Sequence, residues 1–283
     1  YTVTGTDANG CASTKTISVF VNPLPSVSIS PSSATLCVGS ATVLIASGAT
    51  SYVWTPFVGI SCNTCSSPTA NPSVTTSYSI TGTDSNGCVN STSVTVYINP
   101  LPTITITPAS ATICVGASTS ISASGANAYT WLPASALSCT SCINPTANPS
   151  VTTTYTVTGV NINGCVNTKT VTVFVNPLPV ISISPASPTI CIGTSTLITA
   201  SGASSYSWLP STALSCSTCP NPIANPTVTT NYTVTGIDVN GCASTNVFTI
   251  IVGPNINGSI IGDSSVCYGE TITLNAFGGG NYL

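Results

Sequence analysis

The sequence predicts an all-β protein, a tandem array of antiparallel β-sandwich domains with a 77-residue period. Three observations predict it. Tyr1, Tyr78, Tyr155 and Tyr232 open YTVTGTDANGC, YSITGTDSNGC, YTVTGVNINGC and YTVTGIDVNGC at a constant step of 77 residues. From Cys11 the cysteine spacings run 26, 25, 3 and 23 and recur through Cys242; the last step, to Cys267, is 25, where NPLP has become GPNI. Within each period the residues alternate with β-branched character and are punctuated by turn signals, with no helical period. A 77-residue step is too long for a solenoid repeat of roughly 20–50 residues and suits a small domain.

The elements follow in order. NPLP at 22–25, 99–102 and 176–179 marks the joints, since two prolines in four residues cannot enter a central strand and favour a stiff extended connector. The predicted units are 1–24, the last strands of a truncated repeat, then whole repeats 25–101, 102–178 and 179–253, then 254–283, the first strands of another. The chain opens at Tyr1 without an initiator methionine or signal-peptide pattern, so it reads as a window on something longer. After each joint comes a β-branched run such as TITIT at 103–107, closed by Cys-x-Gly. Next are an apolar run ending in Ser-Gly and the Y-x-W strand carrying Trp54, Trp131 or Trp208. Tyr78, Tyr155 and Tyr232 open the strand before an Asn-Gly hairpin, and a run such as TVTVF at 170–174 follows. Asn-Gly between two such runs is the strongest short hairpin signal. About seven short strands per unit, a tryptophan on the third and a tyrosine on the sixth are immunoglobulin-like landmarks. These aromatics read as core packing rather than a carbohydrate platform.

Composition excludes whole classes of function. Of 283 residues, 42% are hydrophobic and 2% charged, with two Lys and no His. Lys15 and Lys169 cannot form the basic stripe that nucleic acid needs. Without histidine, and with only Asp7, Asp84, Asp238, Asp263 and Glu270 as carboxylates, general acid–base pairs are scarce. No nucleophile elbow, phosphate loop or HExxH motif occurs. The reading is of a protein that is not an enzyme and uses no cofactor. No apolar run approaches the eighteen or so residues of a membrane helix.

The combined pattern of C-x-G, Y-x-W, S-C-x-x-C, A-N-P-x-V-T-T-x-Y and T-G-x-D-x-N-G-C followed by NPLP resembles tandem immunoglobulin-like (PKD-like) repeats. These occur in very large cell-surface and type IX-secreted proteins of Bacteroidota, including gliding-motility adhesins. The resemblance covers all complete units and both partial ones. It implies an extracellular stalk, adhesin shaft or filament; it does not identify a ligand. The unit departs from antibody-type domains in lacking a core disulfide between the second and sixth strands.

Fourteen cysteines without histidine point to disulfides. Cys62–Cys65, Cys139–Cys142 and Cys216–Cys219 read as clasps closing a tight loop after the third strand. A thioredoxin-like centre would need a helix N-terminus. A zinc set of Cys37, Cys62, Cys65 and Cys88 would need opposite ends of the sandwich to meet. The remaining cysteines leave two pairings open. Cys37, Cys114 and Cys191 end the first strand, while Cys88, Cys165 and Cys242 follow the last hairpin. One scheme pairs within a unit, as Cys37–Cys88. The other crosses the joints, as Cys37–Cys165 and Cys114–Cys242, leaving Cys11, Cys88, Cys191 and Cys267 without partners and loading neighbouring sandwiches together under tension.

Outward strand positions are Ser, Thr and Asn, so the edge strands lack the lysines that usually block edge-to-edge pairing. Glycans, neighbouring chains or lateral self-association into fibres would answer that exposure. Asn90, Asn231 and Asn257 head N-x-S/T triplets. The Asp of D-x-N-G, replaced by Asn161 in one unit, reads as a turn-initiating residue rather than a calcium ligand, since six to eight oxygens are needed. The expected partners are the neighbouring domains of the same chain. The expected role is an extracellular structural shaft; the alternative is an adhesin module that recognises glycan or protein through loops at the domain ends. The loops FVGISCNTC, SALSCTSC and TALSCSTC vary little, which favours the structural role.

Overall fold

The computed structural model describes residues 1–254, 258–262 and 264–278; Asn257 and Asp263 lie outside them. Among the described residues all regular structure is β-strand, and there is no helix long and apolar enough to cross a membrane.

The middle unit shows the pattern. Its first strand is divided between two layers. Thr105–Thr107 pairs antiparallel with Ser122–Ser124. Beyond Pro108, which has no N–H to continue that ladder, the chain crosses to the other layer, and Ser110–Cys114 runs parallel to Val166–Asn176. The four-stranded layer has the order Ser110–Cys114, Val166–Asn176, Thr153–Val160, Ala128–Leu132. The opposing layer is completed by Thr119–Ser120 paired with Thr146–Ala147. The four-stranded layer recurs as Ser33–Cys37, Val89–Asn99, Thr76–Thr83 and Ser51–Thr55 in the preceding unit. It recurs again as Thr189–Cys191, Ala243–Gly253, Thr230–Ile237 and Ser205–Leu209 in the following one. The fold is a tandem array of immunoglobulin-like β-sandwiches. The sequence reading needs two amendments. The split first strand raises the number of strand segments above seven, and one pair in every sandwich is parallel rather than antiparallel.

Alternation places the core. Along Thr153–Val160, Tyr155, Val157 and Gly159 turn inward while Thr154, Thr156 and Thr158 face outward. Val171 and Val173 of the neighbouring strand meet them, with Ile113, Ile121 and Trp131 closing the cluster. Each such side chain stabilises the fold by about 1.5–3 kcal/mol. Trp54, Trp131 and Trp208 are at most 1% exposed, which removes them as a surface platform. In the third unit Phe248 stands where the others have Val94 and Val171, and its ring packs 5.9 Å from Trp208 and 5.8 Å from Tyr232.

The Ser-Gly that ends each apolar run has a steric reason. Gly125 has φ +97, and a Cβ there would overlap the carbonyl oxygen of Thr103. The bend brings the first strand against the second at a spacing that only glycine allows.

Tyr78, Tyr155 and Tyr232 are the third residues of their strands. Their rings are buried, and their hydroxyls donate to the carbonyls of Val58 at 2.8 Å, Ser135 at 3.3 Å and Thr212 at 3.1 Å. Burial raises the pKa of all three phenols. The folded state therefore holds these protons more tightly than the unfolded chain. This contribution to stability is complete below the ordinary phenol value, about 10, and is lost as pH climbs from there through the raised folded-state value. Denaturant midpoints measured at about pH 8 and about pH 11 should fall between the two; an unchanged or rising midpoint contradicts this.

Candidate functional site

The functional features are the cysteine loops and the joints. Cys62–Cys65, Cys139–Cys142 and Cys216–Cys219 are bonded in the structure. The loop carrying each pair folds back along the tryptophan strand. The Trp131 backbone N–H donates to Thr140 O at 2.8 Å, and its indole Nε1–H donates to Cys142 O at 3.0 Å. Trp54 and Trp208 repeat both bonds, to Asn63 and Cys65 and to Ser217 and Cys219. Ser138 holds the other side of the loop, its Oγ accepting from Thr146 N–H at 2.8 Å. Ala128–Leu132 is an edge of its sheet, and at Trp131 the chain's own loop takes the outward N–H. The clasp thus blocks the edge where charged residues are missing, and satisfies the buried indole as well.

The joints depend on the parallel pairing. Cys37 lies opposite Asn99 and Cys114 opposite Asn176, the last residues of the long strands and the first of NPLP. Each of these cysteines therefore stands at the exit end of its own sandwich. Cys88 stands at the entry end, just before Val89–Asn99, a strand of 11 residues, about 36 Å long at ~3.3 Å per residue. A disulfide tolerates only about 4.4–6.8 Å between Cα atoms, so Cys37 cannot reach Cys88. The hairpin of the next sandwich does reach. Cys37 is bonded to Cys165 with Cα atoms 5.5 Å apart, and Cys114 to Cys242 at 5.6 Å. Cys165 and Cys242 are buried. Cys11, Cys88, Cys191 and Cys267 carry free thiols.

The hairpins are built by Asx turns. Asp84 Oδ1 accepts from Asn86 N–H at 2.9 Å and Cys88 N–H at 2.8 Å, and Asp7 and Asp238 do the same in their own turns. Asn161 keeps both bonds, because Oδ1 is common to Asp and Asn, and adds one that Asp cannot make. Its Nδ2 donates across the joint to Pro100 O at 2.9 Å. Asn167 Nδ2 donates to Pro102 O at 2.9 Å and Asn90 Nδ2 to Pro25 O at 2.9 Å. In the third unit this asparagine has moved two positions along its strand, to Asn246, and donates to Ile181 O at 2.8 Å. These straps escaped the sequence reading, which took Asn90 only as the head of an N-x-T triplet. The recurring Asn at 90 and 167, just after the hairpin cysteine, was the available signal. Among the described residues no group of three or more Cys, Asp, Glu or His is placed to hold a metal ion.

No family model matches the sequence, and a search of curated proteins finds no match. Among solved structures the chain is similar to the I-band fragment I67–I69 of titin, at 14% identity over 82% of this chain and 100% of that one, with a TM-score of 0.42. It is also similar to the N-terminal eight Ig domains of Down syndrome cell adhesion molecule, at 14% identity over 89% of this chain and 39% of that one, TM-score 0.30. A third is mouse cadherin-23 EC22–24, at 12% identity over 82% and 100%, TM-score 0.30. The fold assignment stands on the strand pairing above.

Opening the clasp should free the loop without unfolding the unit. Cys139→Ser with Cys142→Ser should cost about 2 kcal/mol, the chain-entropy value for so small a ring, and should speed hydrogen exchange at the Trp131 indole. Unaltered exchange there would show that the sulfurs do not hold the loop.

Proposed function

We propose that this chain is a segment of an extracellular shaft, the structural part of a large stalk, adhesin or filament, secreted or displayed at a bacterial surface. One observation carries the reading: every complete joint has a second covalent crossing, Cys37–Cys165 or Cys114–Cys242. Two domains joined by a short linker normally keep relative freedom. Here the proline linker, the sulfur bridge and the asparagine straps to Pro100 and Pro102 all act against bending. Disulfides of this number persist in oxidising surroundings, which supports an extracellular location. The resemblance to Bacteroidota surface repeats points the same way. The functional units are the repeats 25–101, 102–178 and 179–253. Because the loop at Trp131 fills its own sheet edge, pairing between chains through that edge is not part of the proposal.

Antibodies raised against this segment should label intact, unpermeabilised cells, and the isolated chain should bind nothing on a glycan array. Labelling that requires permeabilisation, or saturable glycan binding, contradicts the shaft reading.

A further inference from the structure

The bridges join particular strands, and their order along the chain gives the array a property that no single sandwich has. Ser33–Cys37 ends at the exit of the first sandwich and is bonded through Cys37 to Cys165. Val166–Asn176 starts at the next residue and crosses the second sandwich from entry to exit. Pro177–Pro179 then leads into the first strand of the third sandwich, which ends at Cys191 beside Gly253. A second route interleaves with the first. Val89–Asn99 passes through Pro100–Pro102 into the divided first strand of the second sandwich. That strand ends at Cys114, which is bonded to Cys242 at the head of Ala243–Gly253.

We infer that the array is built on two continuous covalent cables, each alternating a first strand, a disulfide, a last strand and a proline joint, which carry tension past the sandwiches instead of through them. Both cables consist of extended segments that run from entry to exit, so tension has almost no slack to draw out. In the second sandwich they lie side by side as the parallel ladder of Ser110–Cys114 with Thr172–Asn176. Parallel neighbours pulled in the same sense are not sheared apart. The rest of each unit, including the tryptophan core and the clasp loop, hangs off the load path. For the middle unit that is residues 115–164, between Cys114 and Cys165. The sandwich fixes the register of the cables and the cables spare the sandwich. This differs from the expectation that bridged joints would load neighbouring sandwiches together. It rests on the shaft reading only for its biological purpose, since the covalent route depends on the oxidised bridges and not on what the shaft serves.

Single-molecule pulling tests the route. Cys11→Ser, Cys88→Ser and Cys267→Ser leave Cys191, which is exposed, as the only free thiol of the otherwise intact oxidised chain, and force is applied between the N-terminus and Cys191. The Cys37–Cys165 bridge removes a separation of 128 residues from this path, about 440 Å of extended chain at ~3.4 Å per residue. The oxidised chain should withhold that length at forces that unfold ordinary sandwiches. Adding Cys37→Ser with Cys165→Ser should release most of it, about 350 Å of extended chain at ~3.4 Å per residue, because Cys114–Cys242 then still shortens the path to Cys191. Adding Cys114→Ser with Cys242→Ser should not, because that bridge lies on the other cable. Release from the intact oxidised chain, or release caused by losing Cys114 and Cys242, overturns the inference. Saturable glycan binding by the isolated chain would instead sink the shaft reading and leave the cables standing.

Discussion

The parallel register that sets Cys37 opposite Asn99, and Cys114 opposite Asn176, is the constraint on which the rest of the structure depends. Had the first strand stayed in the layer where it begins, paired with Ser122–Ser124 as Thr105–Thr107 is, its cysteine would not end beside the exit of the long strand. The crossing at Pro108 moves it there. From that point, geometry decides the rest. The sandwich's own hairpin cysteine is a full strand length away, and the hairpin of the next unit is within disulfide range. Bridged joints and interleaved cables follow from a crossing that occupies two residues.

Charge contributes little to this molecule. With 2% charged residues, stability comes from three hydrophobic clusters, each buried between thin layers, and from cross-links that restrict the unfolded chain. Polar needs inside the sandwiches are met locally. Indoles donate to the cysteine-loop carbonyls and phenols to carbonyls twenty residues upstream, and among the described residues no buried side-chain polar atom lacks a partner. The same economy protects the sheet edge. A loop pinned by two sulfurs does there what lysines do in more highly charged sandwiches.

Much of this was legible in the residues. The 77-residue step, the inward Trp131 and Tyr155, the Asx-initiated hairpins and the proline joints follow from spacing and side-chain chemistry, because each is a local preference repeated three or four times. What was not legible depends on which strands become neighbours. TITIT at 103–107 reads as one strand, and nothing in its alternation says that the chain will change layers at Pro108. Spacing alone therefore left Cys37 with two partners, since the choice rests on a parallel pairing made 62 positions away, at Asn99. Asn161 illustrates the same limit. Its sequence position reveals a turn former, while its second bond, to Pro100, exists only because a joint packs against that turn.

The most direct test of the account is a non-reducing chymotryptic digest, with thiols blocked before unfolding, analysed by mass spectrometry. It should yield peptides linked through Cys37 and Cys165 and through Cys114 and Cys242, with Cys88 and Cys191 recovered as blocked thiols. Peptides linking Cys37 to Cys88, or Cys114 to Cys165, would contradict the bridged joint and every property derived from it.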